Sequence, residues 1–281
     1  MFDKWEDHFG FFAFIDGMRE GYDEFERFAF PERIFDEGHL FLVGGPGGVG
    51  KSTFLARCGR LLQSKIDRVY VFDFGQAPFN DGRDFEDMAK QVIRRMADVL
   101  ESGTHLHEED VSRLRAVERD PDEAHRLLAQ VLKKGESVAV VILPQRIPLS
   151  WVHRCHELVR PRMVFLAETG EIDIEKVSRR FGRLPERRTK VIALGPITDK
   201  DRDIPRLIEP RLKELSGEEI ALVASRLMVP FGSAAEAVAE LAHLIESCGV
   251  GEITESKLSQ YLLESRQRLL ERFARTRISE E

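Results

Sequence analysis

The 281-residue sequence has no long uncharged hydrophobic run, few cysteines and no surplus of basic residues. No apolar stretch approaches the length of about 18 residues that a membrane-spanning helix needs. Cys58, Cys155 and Cys248 are odd in number and widely spaced, which argues against a disulfide framework or a cysteine metal site and favours reduced thiols in a cytoplasmic protein. The first residues, MFDKWEDHFG, lack the basic leader and apolar core of a signal peptide.

The formal net charge of −7 is the second constraint. A protein dominated by nucleic-acid contacts usually carries a surplus of positive charge, so this balance argues against that class. Local basic stretches still leave such contacts open, and the clearest one contains Arg266, Arg268, Arg272, Arg275 and Arg277. Helical spacing spreads these arginines around an apolar stripe, which favours a solvated helix face.

The stretch Gly44–Thr53, GGPGGVGKST, is the strongest motif. It contains Gly-x4-Gly-Lys-Ser, the phosphate-binding P-loop pattern, in which backbone amides surround a phosphate, the lysine reaches the β and γ phosphates and the serine hydroxyl can bind Mg²⁺. We therefore predict ATP and Mg²⁺ as cofactors, with Ser52 as a metal ligand. The predicted nucleotide-binding residues are Gly45, Pro46, Gly47, Gly48, Val49, Gly50, Lys51, Ser52 and Thr53.

Hydrophobic patterns predict five strands that alternate with helices. The strands are expected over residues 38–43, 68–74, 137–143, 162–168 and 189–194, and the run Ser137–Leu143 has the continuous apolar character of a central parallel strand. After about residue 198 only helical patterns follow, opened by Ser-to-Glu capping boxes at Ser216 and Ser233. The predicted fold is an α/β P-loop NTPase with a parallel five-stranded sheet flanked by helices, followed by a small helical lid domain.

Three regions follow from these patterns. Residues 1–37 form a phenylalanine-rich helical segment, residues 38–197 the α/β nucleotide-binding core, and residues 198–281 the helical lid domain. The phenylalanine-rich segment is expected to pack on the first strand, with a partner-binding surface or a wall for the nucleotide base as the alternatives. The pair His105 and His107 lacks a further defined ligand, so a solvated loop is favoured there over a metal site.

A P-loop core followed by a helical C-terminal part resembles the AAA+ ATPases. The second half is similar to the AAA+ domain of the bacterial activators that act on an alternative sigma factor, the enhancer-binding proteins. The similar segments are Ile147–Leu149, Arg162–Gly170, Leu194–Pro196, Asp203–Leu207, Ala237–Leu241 and Gly251–Thr254. The resemblance covers residues 38–65 and 135–262 and implies an ATP-binding module that works with a protein partner or as a homo- or hetero-oligomer.

The sequence departs from that family at the positions that support hydrolysis. The resemblance implies an aspartate for Mg²⁺ and a glutamate for the attacking water at the end of the third strand, where this chain has Ile142 and Leu143. Ala239 stands where the family has a sensor arginine, and residues 78–134 contain no sigma-factor-contacting loop. The sequence therefore predicts intact nucleotide binding with a degenerate Walker B segment.

Glu168, Arg183 and Arg188 are the candidate catalytic residues. In the sheet order that the resemblance implies, the strand ending at Glu168 lies beside the P-loop strand, so its carboxylate could approach the γ-phosphate or a Mg²⁺-bound water; a surface glutamate is the alternative. Arg183 and Arg188 fall where the family places arginines that reach a neighbouring subunit's nucleotide. For these, a solvated basic stretch is the alternative.

Three functions remain open at this point. The first is an ATP-binding AAA+-like switch or assembly subunit with slow or absent hydrolysis. The second is an active ATPase, of AAA+ or signal-transduction type, that uses Glu168 and an arginine from another subunit. The third is a scaffold that nucleotide only stabilises. A ParA-like class is disfavoured because Pro46 replaces its distinctive lysine, and a GTPase because no guanine-reading motif is present.

Overall fold

The computed structural model describes residues 18–29, 31–75, 85–102, 108–145, 148–170, 188–195, 200–209, 217–226, 237–239, 241, 244, 260 and 261. Within them the chain forms a parallel five-stranded sheet. Its strands are β1 (His39–Gly44), β2 (Val69–Asp73), β3 (Val138–Ile142), β4 (Met163–Thr169) and β5 (Thr189–Ala193), in the order β2-β3-β4-β1-β5. The predicted α/β P-loop NTPase fold is confirmed, and each strand lies within about a residue of its predicted bounds.

Helices precede, connect and follow these strands. The described helices are α1 (Met18–Phe28), α2 (Pro31–Asp36), α3 (Lys51–Lys65), α4 (Phe85–Ser102), α5 (Glu108–Ala116), α6 (Pro121–Lys134), α7 (Leu149–Leu158), α8 (Lys200–Ile208) and α9 (Gly217–Arg226). The start of α6 shows how sequence sets a boundary. The Asp120 carboxylate accepts the backbone N–H of Glu123 at 3.1 Å, and Pro121 occupies the first helical position, where no intrahelical N–H partner is needed.

Side-chain alternation along the strands divides the sheet into two packed faces. On one face Leu42, Val141 and Phe165 join a buried apolar cluster with helices α4, α5, α6 and α7. On the other face the ring of Phe41 packs edge-on against that of Phe25 in α1, with centroids 4.6 Å apart. Helix α3 crosses this second face, and Gly59 marks the close approach.

A Cβ on Gly59 would lie 4.0 Å from both Val140 and Ile142 of β3. The start of α3 is thereby directed toward the ends of the central strands.

The phenylalanine-rich N-terminal segment packs as predicted where it is described. Phe25 is fully buried, and the ring of Phe28 lies 6.1 Å from that of Phe41 on β1. The ring of Phe35 lies 4.6 Å from the Arg162 guanidinium, and Phe2, Phe9, Phe11, Phe12, Phe14 and Phe30 lie outside the described residues.

The described residues belong to two compact units. The larger is drawn from Glu20–Pro46 and Lys51–Leu194 and contains the sheet; the smaller is drawn from Met1–Arg19, Gly47–Gly50 and Gly195–Glu281. In the smaller unit α8 and α9 pack on each other, and Ile204 and Val223 are buried. The predicted division at residues 37 and 197 stays a prediction. Among the described helices, none combines the length and apolar character needed to cross a lipid bilayer.

Candidate phosphate and metal site

The P-loop connects the end of β1 to the start of α3 through a backbone path that only glycine follows without strain. Gly45, Gly48 and Gly50 have φ of 143°, 79° and 90°, all positive. A Cβ added to Gly47 would meet no atom within 4 Å, whereas one on Gly50 would lie 2.7 Å from Cε of Met18. A turn of this kind directs successive amides to one side, as an anion-binding nest requires.

The Lys51 side chain folds back over this loop. Its ammonium donates to the carbonyl oxygens of Gly45 at 2.9 Å and Pro46 at 2.8 Å, and the residue is 8% exposed. An ammonium group has three donors in a freely rotating set, so contacts with carbonyls can be exchanged for contacts with phosphate oxygens. The Lys51 ammonium is therefore held at the loop that would receive the phosphates.

Ser52 and Glu168 are directly hydrogen-bonded. The Ser52 hydroxyl donates to Oε2 of Glu168 at 2.7 Å, and Glu168 is 7% exposed. Their proximity follows from the sheet order, because β4 pairs with β1 and Glu168 aligns with Val43, near the start of the P-loop. The predicted placement of the Glu168 strand beside the P-loop strand is thus confirmed. Alternation also puts Glu168 on the same face as Leu166, the face that α3 crosses.

The end of β3 carries no carboxylate. Ile142 and Leu143 are both buried, at 8% and 1% exposure. The backbone holds them from both sides: Phe74 donates its N–H to the Ile142 carbonyl at 2.9 Å, and Leu143 donates to the Leu166 carbonyl at 2.8 Å. Two buried apolar residues therefore stand at the positions where the family resemblance implies two acids.

Gln145 is a site residue that sequence reasoning missed. Its amide Nε2 donates to the Ser52 hydroxyl oxygen at 3.2 Å. The signal was a polar side chain three residues beyond the end of a central strand, where ligands bind in open α/β sheets.

Asp73, the acid that ends β2, takes no part in this cluster. Its Oδ1 accepts the backbone N–H of Gly75 at 2.7 Å, which is a local turn contact. In the sheet, β3 and β4 separate its strand from β1.

Arg188 lies at the opposite edge of the sheet from the P-loop. It precedes β5, its carbonyl accepts the N–H of Leu40, and its guanidinium donates to the carbonyls of Gly38 at 3.2 Å and Val159 at 2.7 Å. Burial, with a smaller contribution from Arg160, lowers the pKa of Arg188, and Glu37 opposes this. Within the chain Arg188 thus has a structural contact, and its role at a neighbouring subunit's nucleotide stays a prediction. Arg183 lies outside the described residues.

The oxygen donors at Ser52 and Glu168 fit a hard cation. Mg²⁺ prefers hydroxyl, carboxylate, phosphate and water oxygens and is held by few protein ligands. In the described part of the chain, no three histidine, cysteine, aspartate or glutamate side chains cluster as a metal ion would require. His105 and His107 fall outside it. A cation here would be shared between these side chains and the phosphates of a nucleotide.

Comparison with known proteins identifies the fold. No family model and no curated protein sequence matches the chain. Solved structures do match: the ORC2 protein of Aeropyrum pernix in its ADPNP-ADP complexes, with TM-score 0.58, 15% identity and 88% of this chain covered; the Aeropyrum pernix ORC1 protein in complex with DNA, with 0.55, 14% and 90%; and Drosophila ORC bound to DNA, with 0.53, 17% and 86%.

These structures are AAA+ ATPases, so the chain has the AAA+ P-loop fold. The chain spans 67%, 66% and 60% of their respective lengths. The finer resemblance to the enhancer-binding activators finds no support among them and stays a prediction.

Proposed function

We propose that this chain is an ATP-binding, AAA+-like module that acts as a nucleotide-dependent switch or assembly subunit, with slow or absent hydrolysis. The observation that carries the proposal is the hydrogen bond of 2.7 Å between the Ser52 hydroxyl and the Glu168 carboxylate, beside the glycine-rich loop and the Lys51 ammonium. These groups bring together what a triphosphate and its cation require. The fold likeness supports the nucleotide-binding part of this proposal.

The phosphate-binding part of the proposal depends on the loop and on Lys51. Positive φ angles at Gly45, Gly48 and Gly50 fit a loop whose amides face an anion, and the dipole of the fifteen-residue helix α3 adds partial positive charge at the same end. Lys51 would exchange its two carbonyl contacts for phosphate oxygens. Gly45–Thr53 would hold the phosphates chiefly through backbone groups.

In the proposed metal site, Glu168 supplies the carboxylate that the end of β3 lacks. The Glu168 carboxylate orients the Ser52 hydroxyl and would hold Mg²⁺ either directly or through a metal-bound water. Bound Mg²⁺ would neutralise phosphate charge. Buried Ile142 and Leu143 contribute neither of the two acids that the family resemblance implies.

Slow turnover is expected because the site has the Glu168 carboxylate in place of the two acids that the family resemblance implies. General-base catalysis is worth about 10²–10⁴-fold in rate, so its loss lowers hydrolysis far more than binding. A nucleotide that binds and stays would stabilise one arrangement of the core and the predicted helical lid over another. The module would then act through a protein partner or a homo- or hetero-oligomer.

An active ATPase is the second candidate function, and the same contact favours it. A carboxylate at 2.7 Å from Ser52 is close enough to the predicted metal site to act on a metal-bound water. This candidate needs an arginine from a neighbouring subunit, for which Arg183 and Arg188 stay the sequence-based choices. Its rate would rise with protein concentration as composite sites form.

Calorimetric titration with ATP and with GTP in Mg²⁺, followed by single-turnover hydrolysis, separates these functions. The proposal predicts saturable ATP binding with little product after many minutes, at low and at high protein concentration. Robust turnover that Glu168→Gln abolishes would favour the active ATPase. Absence of binding to either nucleotide would overturn both.

A matched variant controls for general effects of removing a carboxylate. Glu157 lies on α7 with its side chain 63% exposed, so Glu157→Gln should leave ATP binding unchanged. Glu168→Gln should keep the Mg²⁺-free affinity and lose about tenfold of the affinity that Mg²⁺ adds, which corresponds to ~1.4 kcal/mol. Equal losses in both variants would contradict the role of Glu168. If Lys51→Ala abolished nucleotide binding while binding to a protein partner survived, the scaffold function would be favoured.

A further inference from the structure

Gln145 shares the hydroxyl of Ser52 with Glu168, and the valence of that hydroxyl limits how. A serine hydroxyl has one donor and two acceptor lone pairs, and an ionised carboxylate only accepts. The hydroxyl proton is therefore committed to Glu168, at 2.7 Å. The amide Nε2 of Gln145, at 3.2 Å, takes one lone pair. One lone pair is left, and its direction is fixed by the other two contacts.

The backbone brings Gln145 to this position. The last residues of β3 are bonded to Phe74 on one side and to Leu166 on the other. Leu143 and Pro144 are buried, whereas Gln145 is exposed, so the chain turns outward at the carboxyl end of the strand. A side chain leaving this turn reaches the start of α3 because α3 crosses β3 at Gly59. The contact thus arises from the central strands of the sheet.

The amide orientation is the one that the hydroxyl requires. If the Gln145 oxygen faced Ser52 instead, the hydroxyl oxygen would stand between two acceptors with one proton to offer. Donation from the Nε2 atom removes that conflict and keeps the proton on the Glu168 side.

We propose that Gln145 is a positioning residue that orients the remaining Ser52 lone pair toward the cation of a bound nucleotide. This inference rests on the proposed function, since it needs a metal–nucleotide complex at the P-loop. Gln145 acts through Ser52: its donated hydrogen bond and the Glu168 carboxylate together fix the hydroxyl. Gln145 lies just beyond the end of β3, where the family resemblance implies two acids, but it supplies a neutral amide. The amide helps to bind a cation without providing a base.

The test measures nucleotide affinity as a function of Mg²⁺ concentration, a readout that needs no turnover. Gln145→Ala should lower the factor by which Mg²⁺ strengthens ATP binding by about fivefold while leaving the Mg²⁺-free affinity unchanged. Gln145→Glu should also lower this factor, because a carboxylate cannot donate the hydrogen bond that Ser52 accepts from Gln145. A purely structural residue would change both affinities equally.

Gln63→Ala is the matched control, because Gln63 is exposed on the same helix as Ser52. Thermal melts should show all three variants folded, since Gln145 and Gln63 are both exposed. If the wild-type protein binds ATP with a Mg²⁺ dependence that both Gln145 variants leave unchanged, the role of Gln145 is overturned while the proposed function stands. If the wild-type protein binds no nucleotide, the proposed function itself fails.

Discussion

Charged side chains have different partners at the two ends of the parallel strands, which we call the carboxyl edge and the amino edge of the sheet. At the carboxyl edge, where β1 and β4 end, an ammonium, a hydroxyl, a carboxylate and an amide lie around the P-loop. At the amino edge, arginines donate to main-chain carbonyls of the segments that enter the strands: Arg68 to Gly135, Arg162 to Ser137, and Arg160 and Arg188 to Val159. At the carboxyl edge the Lys51 ammonium lies on the loop proposed to bind phosphate, whereas at the amino edge the arginines connect backbone segments of the core.

That contrast explains why charge alone is a poor guide to a site. Arg188 is a candidate for catalysis because it falls where the family places arginines that reach a neighbouring nucleotide, yet its guanidinium donates to the carbonyls of Gly38 and Val159. Lys51 also contacts carbonyls, but those carbonyls belong to the loop that would receive phosphate. Removal of Lys51 should therefore weaken ATP binding, whereas removal of Arg188 should lower only the stability of the fold.

The largest effect is expected for Lys51→Ala. We expect ATP affinity to fall by at least about 100-fold, or ~2.7 kcal/mol, because charge-assisted contacts with the phosphates are lost. The free energy of unfolding without nucleotide should fall by about 1–2 kcal/mol, because the carbonyls of Gly45 and Pro46 lose their donor. Isothermal calorimetry and urea denaturation measure the two quantities, with the exposed Lys133→Ala as the control. Unchanged affinity would contradict the assignment of the carboxyl edge as the binding edge.

The next effect concerns pH and a buried histidine of α6. Burial lowers the pKa of His125 to about 4, and its Nδ1 contacts the Pro121 carbonyl at 2.6 Å. Below about pH 6.5 His125 is protonated in the unfolded chain, whereas in the folded chain it stays neutral until the pH approaches 4. Its contribution to stability is therefore complete above pH 6.5 and lost as the pH falls toward 4, by up to about 3 kcal/mol.

Urea denaturation between pH 7 and pH 4.5 tests this titration. His125→Gln should flatten the pH dependence, whereas ATP affinity measured at pH 7 should stay the same because His125 lies away from the P-loop. An equally steep loss of stability in the variant would show that another group titrates.

Arg188→Ala should differ from Lys51→Ala by lowering stability without changing ATP affinity. Loss of its two hydrogen bonds leaves the carbonyls of Gly38 and Val159 without these donors, which should cost about 2 kcal/mol of unfolding free energy. ATP affinity at low protein concentration should not change. A specific loss of turnover at high concentration, with stability retained, would instead support the predicted contact with a neighbouring subunit.

The smallest effect separates two glycines of the same loop. Gly50→Ala forces a Cβ onto a backbone with φ of 90° and to 2.7 Å from Met18, so we expect about 1–2 kcal/mol of destabilisation. At Gly47 a Cβ meets nothing within 4 Å, and Gly47→Ala should be close to neutral for folding. Thermal melts of the two variants make the comparison. Equal melting temperatures would mean that the loop adjusts without strain.

The sequence was sufficient for the sheet and for the P-loop, and physical reasons explain why. Continuous apolar runs such as Val138–Ile142 fit only a strand buried on both faces, and GGPGGVGKST needs a strand before it and a helix after it. Placing Glu168 beside the loop needed more, because nothing local specifies which strand pairs with β1. That step came from the family resemblance and was confirmed by the pairing of Val43 with Glu168.

The hydrogen bond between Gln145 and Ser52 could not be predicted from the sequence. This contact joins residues 93 positions apart and depends on the packing of α3 across β3. The partners of Arg188 were equally hidden, since they are backbone carbonyls that have no signature in side-chain patterns. Pairings set by packing thus decide which polar residues form a site.

A crystal structure with a non-hydrolysable ATP analogue and Mn²⁺ in place of Mg²⁺ tests the central claim most directly. We expect an anomalous peak about 2 Å from Oγ of Ser52, near the Glu168 carboxylate, and the analogue's phosphates within the loop Gly45–Gly50. A cation held instead near Asp73 at the end of β2, or phosphates bound away from Lys51, would contradict it.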